Sequence, residues 1–190
     1  MMKNKIMFSD CMNRSLSESI SVDFRGGIFM LMKYNESIRA CQYIDGWKLV
    51  TSFSVGGFEW LGFSKEISNK MIIISSQKTT ILDCNNGKIE NCMIDYDEDE
   101  LIAICDKLPN EQILIAGEYG GNLPDTTNKD ERVLIQKTDE HITTITFILN
   151  QSDKIKVYEN YGAYICGFSY DGNYFVIAND GGIIVIKRGT

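Results

Sequence analysis

The chain has 190 residues, with 19 Lys and Arg against 26 Asp and Glu, one His and a net charge of −7, which is length enough for one packed domain and cramped for two. Its 44% hydrophobic, 11% aromatic and 24% charged residues argue against a disordered, collagenous or membrane-embedded chain, and no apolar run is long enough to cross a bilayer. The acidic surplus, with Arg14, Arg25, Arg39, Arg132 and Arg188 scattered along the chain, works against nucleic acid, whose affinity comes from cations displacing phosphate counterions, and suits a basic protein partner.

Residues 1–25 show no decisive period, and a short helix or an irregular lead-in both fit them. Their only apolar run, Ile6-Met7-Phe8, falls short of a signal-peptide core. Cys11, Cys41, Cys84, Cys92, Cys105 and Cys166 form no CxxC pair and no dense framework, so the expectation is six free thiols, no zinc site and a cytoplasmic protein. Cys41, Cys84 and Cys166 lie in apolar runs and read as small buried hydrophobes.

From residue 28 to 94 the chain breaks into short β-branched and aromatic runs with turn signals between them. Residues 37–44 and 47–53 flank Asp45-Gly46 and predict a hairpin, because Asp-Gly supplies the positive φ values of a type I′ turn. Asn86-Gly87, Asp171-Gly172 and Asp180-Gly181 repeat the device. Such short connections leave no room for parallel crossovers, so consecutive antiparallel strands follow. One helix is expected at residues 97–108, with Leu101, Ile104, Cys105 and Leu108 on one face, Asp97 and Glu100 as a capping-box variant and Pro109 as the stop. Beyond it the strand pattern covers 112–119, 132–137, 142–149, 154–158, 162–168, 174–178 and 183–187.

Gly62-Phe63-Ser64 and Gly167-Phe168-Ser169 each lead through a short turn to Asn and an apolar strand, then a polar turn and a second apolar strand. The stretch 167–186, with its Phe168-Ser169-Tyr170-Asp171-Gly172 turn between strands, resembles a β-propeller blade of the WD40-like kind. Tyr170 stands where the usual Pro would be, and no Trp-Asp dipeptide closes the unit. The resemblance implies scaffolding and partner binding more than catalysis. The two copies lie 105 residues apart, which is no multiple of the roughly 40–45 residues of a blade, so a β-sandwich stays open beside a propeller-like arrangement. The expected fold is therefore mainly β: antiparallel, hairpin-rich sheets with one helix near 97–108, in a single domain 1–190.

Asp95, Asp97, Glu98, Asp99 and Glu100 are the densest acidic block. Counted from Asp95, the EF-hand positions that need Gly and Glu hold Glu100 and Asp106, so the block reads as an anionic patch. The Glu118–Asp125 loop has a glycine pair and polar side chains but lacks the Gly-Lys-Ser/Thr of a phosphate loop. The missing catalytic constellation and the acidic balance predict a small cytoplasmic protein-binding protein, similar in size and acidity to bacterial immunity proteins that occupy basic toxins. Its contact residues would be Glu98, Asp99, Glu118, Tyr119, Asn122 and Trp60, with no cofactor and no metal ligands. The alternative is a small enzyme or ligand-binding domain with a cleft near Glu118, Tyr119 and His141.

Overall fold

Two apolar residues in succession along a strand must face opposite ways, so runs such as Met71-Ile72-Ile73-Ile74 demand a sheet covered on both sides. The computed structural model describes residues 34–138, 142–150, 152–179 and 181–189, and strands make up 58% of these. All strand ladders among them are antiparallel.

Strands β1 (Trp47–Phe53), β2 (Phe58–Phe63), β3 (Lys70–Ser75), β4 (Thr79–Asp83), β5 (Lys88–Asn91), β6 (Ile94–Asp97), β7 (Ile102–Cys105) and β8 (Leu108–Leu114) form the first half of the described chain. The second half holds β9 (Ala116–Gly117), β10 (Arg132–Lys137), β11 (Ile142–Leu149), β12 (Asp153–Tyr161), β13 (Ala163–Phe168), β14 (Tyr174–Asn179) and β15 (Gly182–Arg188). They assemble into sheet I, ordered β5-β4-β3-β2-β9; sheet II, β6-β7-β8; sheet III, β10-β11-β12; and sheet IV, β1-β15-β14-β13. Sheet IV is thus built from both ends of the described chain.

Three hydrophobic cores separate the sheets in the order III, IV, I, II. Met71 and Ile73 of sheet I meet Val176, Ile183 and Val185 of sheet IV. Ile72 and Ile74, one residue out of phase, meet Ala103, Cys105 and Ile113 of sheet II with Trp60. The other face of sheet IV, with Phe168, Phe175 and Ile177, meets Phe147 and Val157 of sheet III. Each Ile, Val, Phe or Met side chain among them taken from water contributes roughly 1.5–3 kcal/mol.

Two expectations are corrected. Residues 34–42 are helical (α1), so 37–44 is no strand and Asp45-Gly46 joins a helix to β1. Tyr34, Ile38 and Cys41 recur at helical spacing and pack on the III–IV core, and the Tyr34 hydroxyl donates to the Ile183 carbonyl at 3.0 Å. Gly46 keeps the positive φ, 73°, that its sequence advertised. The helix expected at 97–108 is instead the end of β6, a turn, β7 and the start of β8. Asp97 Oδ1 does accept the Asp99 and Glu100 amides, both at 2.9 Å, the contacts a helix cap would make. Leu101 then turns left-handed, φ 56°, and the chain reverses. Pro109 falls on β8, the free edge of sheet II, where a missing amide costs least.

The other hairpin signals fall between paired strands: Asn86-Gly87 between β4 and β5, Asp171-Gly172 between β13 and β14. Asp180 is outside the described residues, as is the lead-in at 1–25. The duplicated Gly-Phe-Ser segments end β2 and β13 and do the same work in sheets I and IV. A Cβ on Gly62 would lie 2.5 Å from the Leu114 carbonyl, and one on Gly167 would lie 2.8 Å from that of Pro124, so both positions admit only glycine. Ser64 and Ser169 are buried and hold their turns by accepting the Ile67 and Tyr174 amides at 2.8 and 3.0 Å. The two turns meet: Lys65 lies over the Tyr170 ring, 4.9 Å from its centroid. No helix among the described residues is long and apolar enough to cross a membrane.

Candidate functional site

Strand β2 begins the site. Pairing with Ile74 of β3 and Gly117 of β9 centres Trp60 in sheet I, and its indole is buried against sheet II at 1% exposure. The Glu118 amide donates to the Glu59 carbonyl at 3.1 Å and the Gly117 amide to the Gly120 carbonyl at 2.8 Å. These bonds fold residues 117–120 into a tight turn that projects Tyr119 outward. Tyr119 is 69% exposed, yet its ring sits 5.9 Å from Trp60 at an angle of 58°. Trp60 therefore underlies the surface and supports Tyr119 from beneath.

A second tyrosine arrives from sheet II. Tyr96 pairs with Ala103 in the β6–β7 ladder, and its hydroxyl donates to the Glu59 carboxylate at 3.5 Å. The following turn carries Glu98 and Asp99, both exposed. Electrostatics ties these groups together. Tyr96 titrates above its ordinary value of 10.0 through burial first and then the charges of Glu59 and Glu98. Tyr119 is raised from the same value by a hydrogen bond with Glu118, by that residue's charge, by burial and by Glu59 and Glu98. Both phenols thus sit in the field of the same two carboxylates.

Glu59, Tyr96, Glu98, Glu118 and Tyr119 form one acidic, aromatic surface where sheet I meets sheet II. No ion pair among the described residues engages the three glutamates. Carboxylates without cations beside exposed phenol rings suit Lys and Arg side chains, which pair with the acids and lie over the rings. Glu59 and Tyr96 are absent from the sequence expectation. The one available signal for Glu59 was its position beside Trp60, outward on a strand whose Trp60 faces in; Tyr96 was hidden by the helical reading of its neighbourhood. Asp99 shares the turn with Glu98, but its backbone amide is what the turn uses.

Asn122 lies beyond the tight turn. With Glu118, Gly121, Lys137 and Thr143 it lines a cleft of about 260 Å³ between the loop and sheet III. Lys137 and Thr143 are cross-strand partners of β10 and β11. His141, expected near this cleft, is outside the described residues. All five described cysteines are free thiols. Compared with known proteins, the chain matches no protein family and has no significant match among curated sequences.

Proposed function

We propose that the protein acts by occupying the surface of a basic partner protein, as an inhibitor or immunity protein does, through the face formed by Glu59, Tyr96, Glu98, Glu118 and Tyr119. The observation that carries this reading is that two exposed tyrosines, Tyr96 bonded to Glu59 and Tyr119 set over Trp60, sit beside glutamates that no cation pairs among the described residues. Tyrosine brings large contact area at low entropic cost and recurs at binding hot spots, while the acids steer a basic surface inward. The fold reading that goes with it is propeller-like. Its support is that the early strand β1 completes the sheet of β13, β14 and β15, a closure that leaves loops and sheet edges to present contact residues. A ligand-binding cleft at Glu118 and Asn122 ranks second, because about 260 Å³ falls below the roughly 300–1,000 Å³ of ordinary small-molecule sites.

The test is capture of partners from a cell lysate on immobilised protein, followed by association kinetics with the purified partner over a range of salt. The combined variant Glu59→Gln, Glu98→Gln, Glu118→Gln should slow association by about tenfold at low salt and flatten its salt dependence. Tyr119→Ala should act mainly on dissociation. A partner bound equally by wild type and both variants overturns the reading.

A further inference from the structure

At the other end of the β6–β7 ladder from Glu98, three side chains converge that the sequence keeps apart. Cys92 precedes β6, Cys105 ends β7 and Asp106 opens the turn into β8. The Ile94–Cys105 register sets Met93 opposite Asp106, and the sulfurs of both cysteines and a carboxylate oxygen of Asp106 all lie within 4.8 Å of one another. We propose that Cys92, Cys105 and Asp106 form a binding site for a thiophilic divalent metal ion, zinc being the chemical type.

The distances suit such an ion. Bonds of about 2.3 Å to sulfur and 2.0–2.2 Å to oxygen in a tetrahedron place the donors roughly 3.5–3.8 Å apart, so each donor moves by less than about 1 Å to close on the metal. Two thiolates select a soft or borderline cation and disfavour magnesium and calcium, which take oxygen ligands. The carboxylate is already aimed. The Met93 amide donates to Asp106 Oδ1 at 3.0 Å, and the Asp106 amide returns a bond to the Met93 carbonyl at 3.0 Å. This clamp fixes the oxygen relative to the strand that carries Cys92, the kind of outer support that metal ligands commonly receive. The next residue, Lys107, carries an ammonium whose charge acts on Asp106 and Cys92, although Glu90, 2.9 Å from it, already takes up much of that charge. Cys105 is fully buried, Cys92 is half-buried and Asp106 is exposed. The fourth position therefore opens to solvent, for a water molecule. Binding releases one proton from each thiol and forms two metal–sulfur bonds without any redox change. Its structural effect would be to pin the β5–β6 link to the β7–β8 turn.

The experiment titrates the full chain, reduced and metal-free, with cobalt(II) and then displaces cobalt with zinc. One equivalent should produce thiolate-to-cobalt charge transfer in the near ultraviolet and tetrahedral bands in the visible, both erased by zinc. Cys92→Ser should remove about half of the charge-transfer intensity. Asp106→Asn keeps the Oδ1 acceptor for Met93, so it preserves the fold while weakening binding by about tenfold or more, since loss of an outer-shell partner alone costs roughly that much. Cys11→Ser should change nothing. Absence of the bands in the wild type overturns the proposal. So does a spectrum and affinity left intact by both Cys92→Ser and Asp106→Asn, which would put the metal on other thiols.

Discussion

Glu131 joins the loop before β10 to the last strand: its carboxylate accepts from the two terminal guanidinium nitrogens of Arg188 and from the Thr127 hydroxyl. The same guanidinium rests 4.8 Å from the Trp47 ring centroid and donates to the Gly172 carbonyl at 2.9 Å. Burial alone would raise the Glu131 pKa, but the hydrogen bonds from Arg188 and Thr127 and the guanidinium charge outweigh it and hold it below the ordinary 4.5. Asp171 follows the same rule: burial opposes, and donors from Ser169, Asn173 and Ser68 prevail to set it below 3.8. A carboxyl depressed in the folded state contributes stability above its unfolded pKa and loses it as pH falls through the folded one. Thermal melts should therefore be flat near neutrality and fall below about pH 4. Glu131→Gln should cost about 3 kcal/mol at pH 7, because it removes the counter-charge of a guanidinium that is only 13% exposed, and it should flatten the acid limb of the melting curve. A variant that melts like wild type at pH 7 would show the pair to be dispensable.

At the scale of elements, Asp97 explains how a strand region reads as a helix. A side chain accepting the amides two and three residues ahead is common to helix caps and to Asx turns, and only the following residues separate the two. Leu101, Ile104, Cys105 and Leu108 fit a helical stripe, but in the structure Ala103 and Cys105 face the core while Ile104 is 49% exposed. The strand also satisfies the apolar Ala103, which a helical stripe leaves out. Burial decides between them, and burial depends on sheet I supplying Ile72 and Ile74 as a wall. Urea denaturation checks this: Ile104→Thr should change stability by no more than about 0.5 kcal/mol, whereas Ala103→Leu should cost about 1–3 kcal/mol by overpacking. The reverse order would restore the helical arrangement. Helix α1 is the converse case, since residues 37–44 are apolar enough for either element and their contact with sheets III and IV selects the helix.

Across the whole molecule, sheets IV and I each wall two cores, so neither can come apart without exposing both of its faces. The chain's two tryptophans report on opposite ends of this stack: Trp47 lies in the core between sheets III and IV, and Trp60 in the core between I and II. Trp47→Phe and Trp60→Phe, each leaving one reporter, should unfold at urea midpoints that match the loss of circular dichroism in the same variant, as one cooperative unit does. Separate midpoints for fluorescence and dichroism would divide the stack into independent parts. Charge is segregated on the same scale. Lys48, Lys129 and Lys187 line one groove, where the charge of Arg188 is already met by Glu131, while Glu59, Glu98 and Glu118 gather at the junction of sheets I and II.

By itself the sequence determined the antiparallel β class, the positions of β10, β11 and the last hairpins, and the two Gly-Phe-Ser turns, because period-two burial and Asn-Gly or Asp-Gly turns are local signals read over a few residues. Glu98, Glu118 and Tyr119 were legible in it as candidates for the contact face proposed above. Tertiary structure alone decided where the helix lies, that Trp60 supports the surface from beneath, and that Glu59 and Tyr96 complete it. The same holds for the cysteines: Cys92 and Cys105 are separated along the chain, and only the β6–β7 register brings them beside Asp106. The reason is common to all of these. A local pattern states which side chains can be buried, but the choice of face depends on strands contributed from distant parts of the chain, whose apolar surfaces must be covered together.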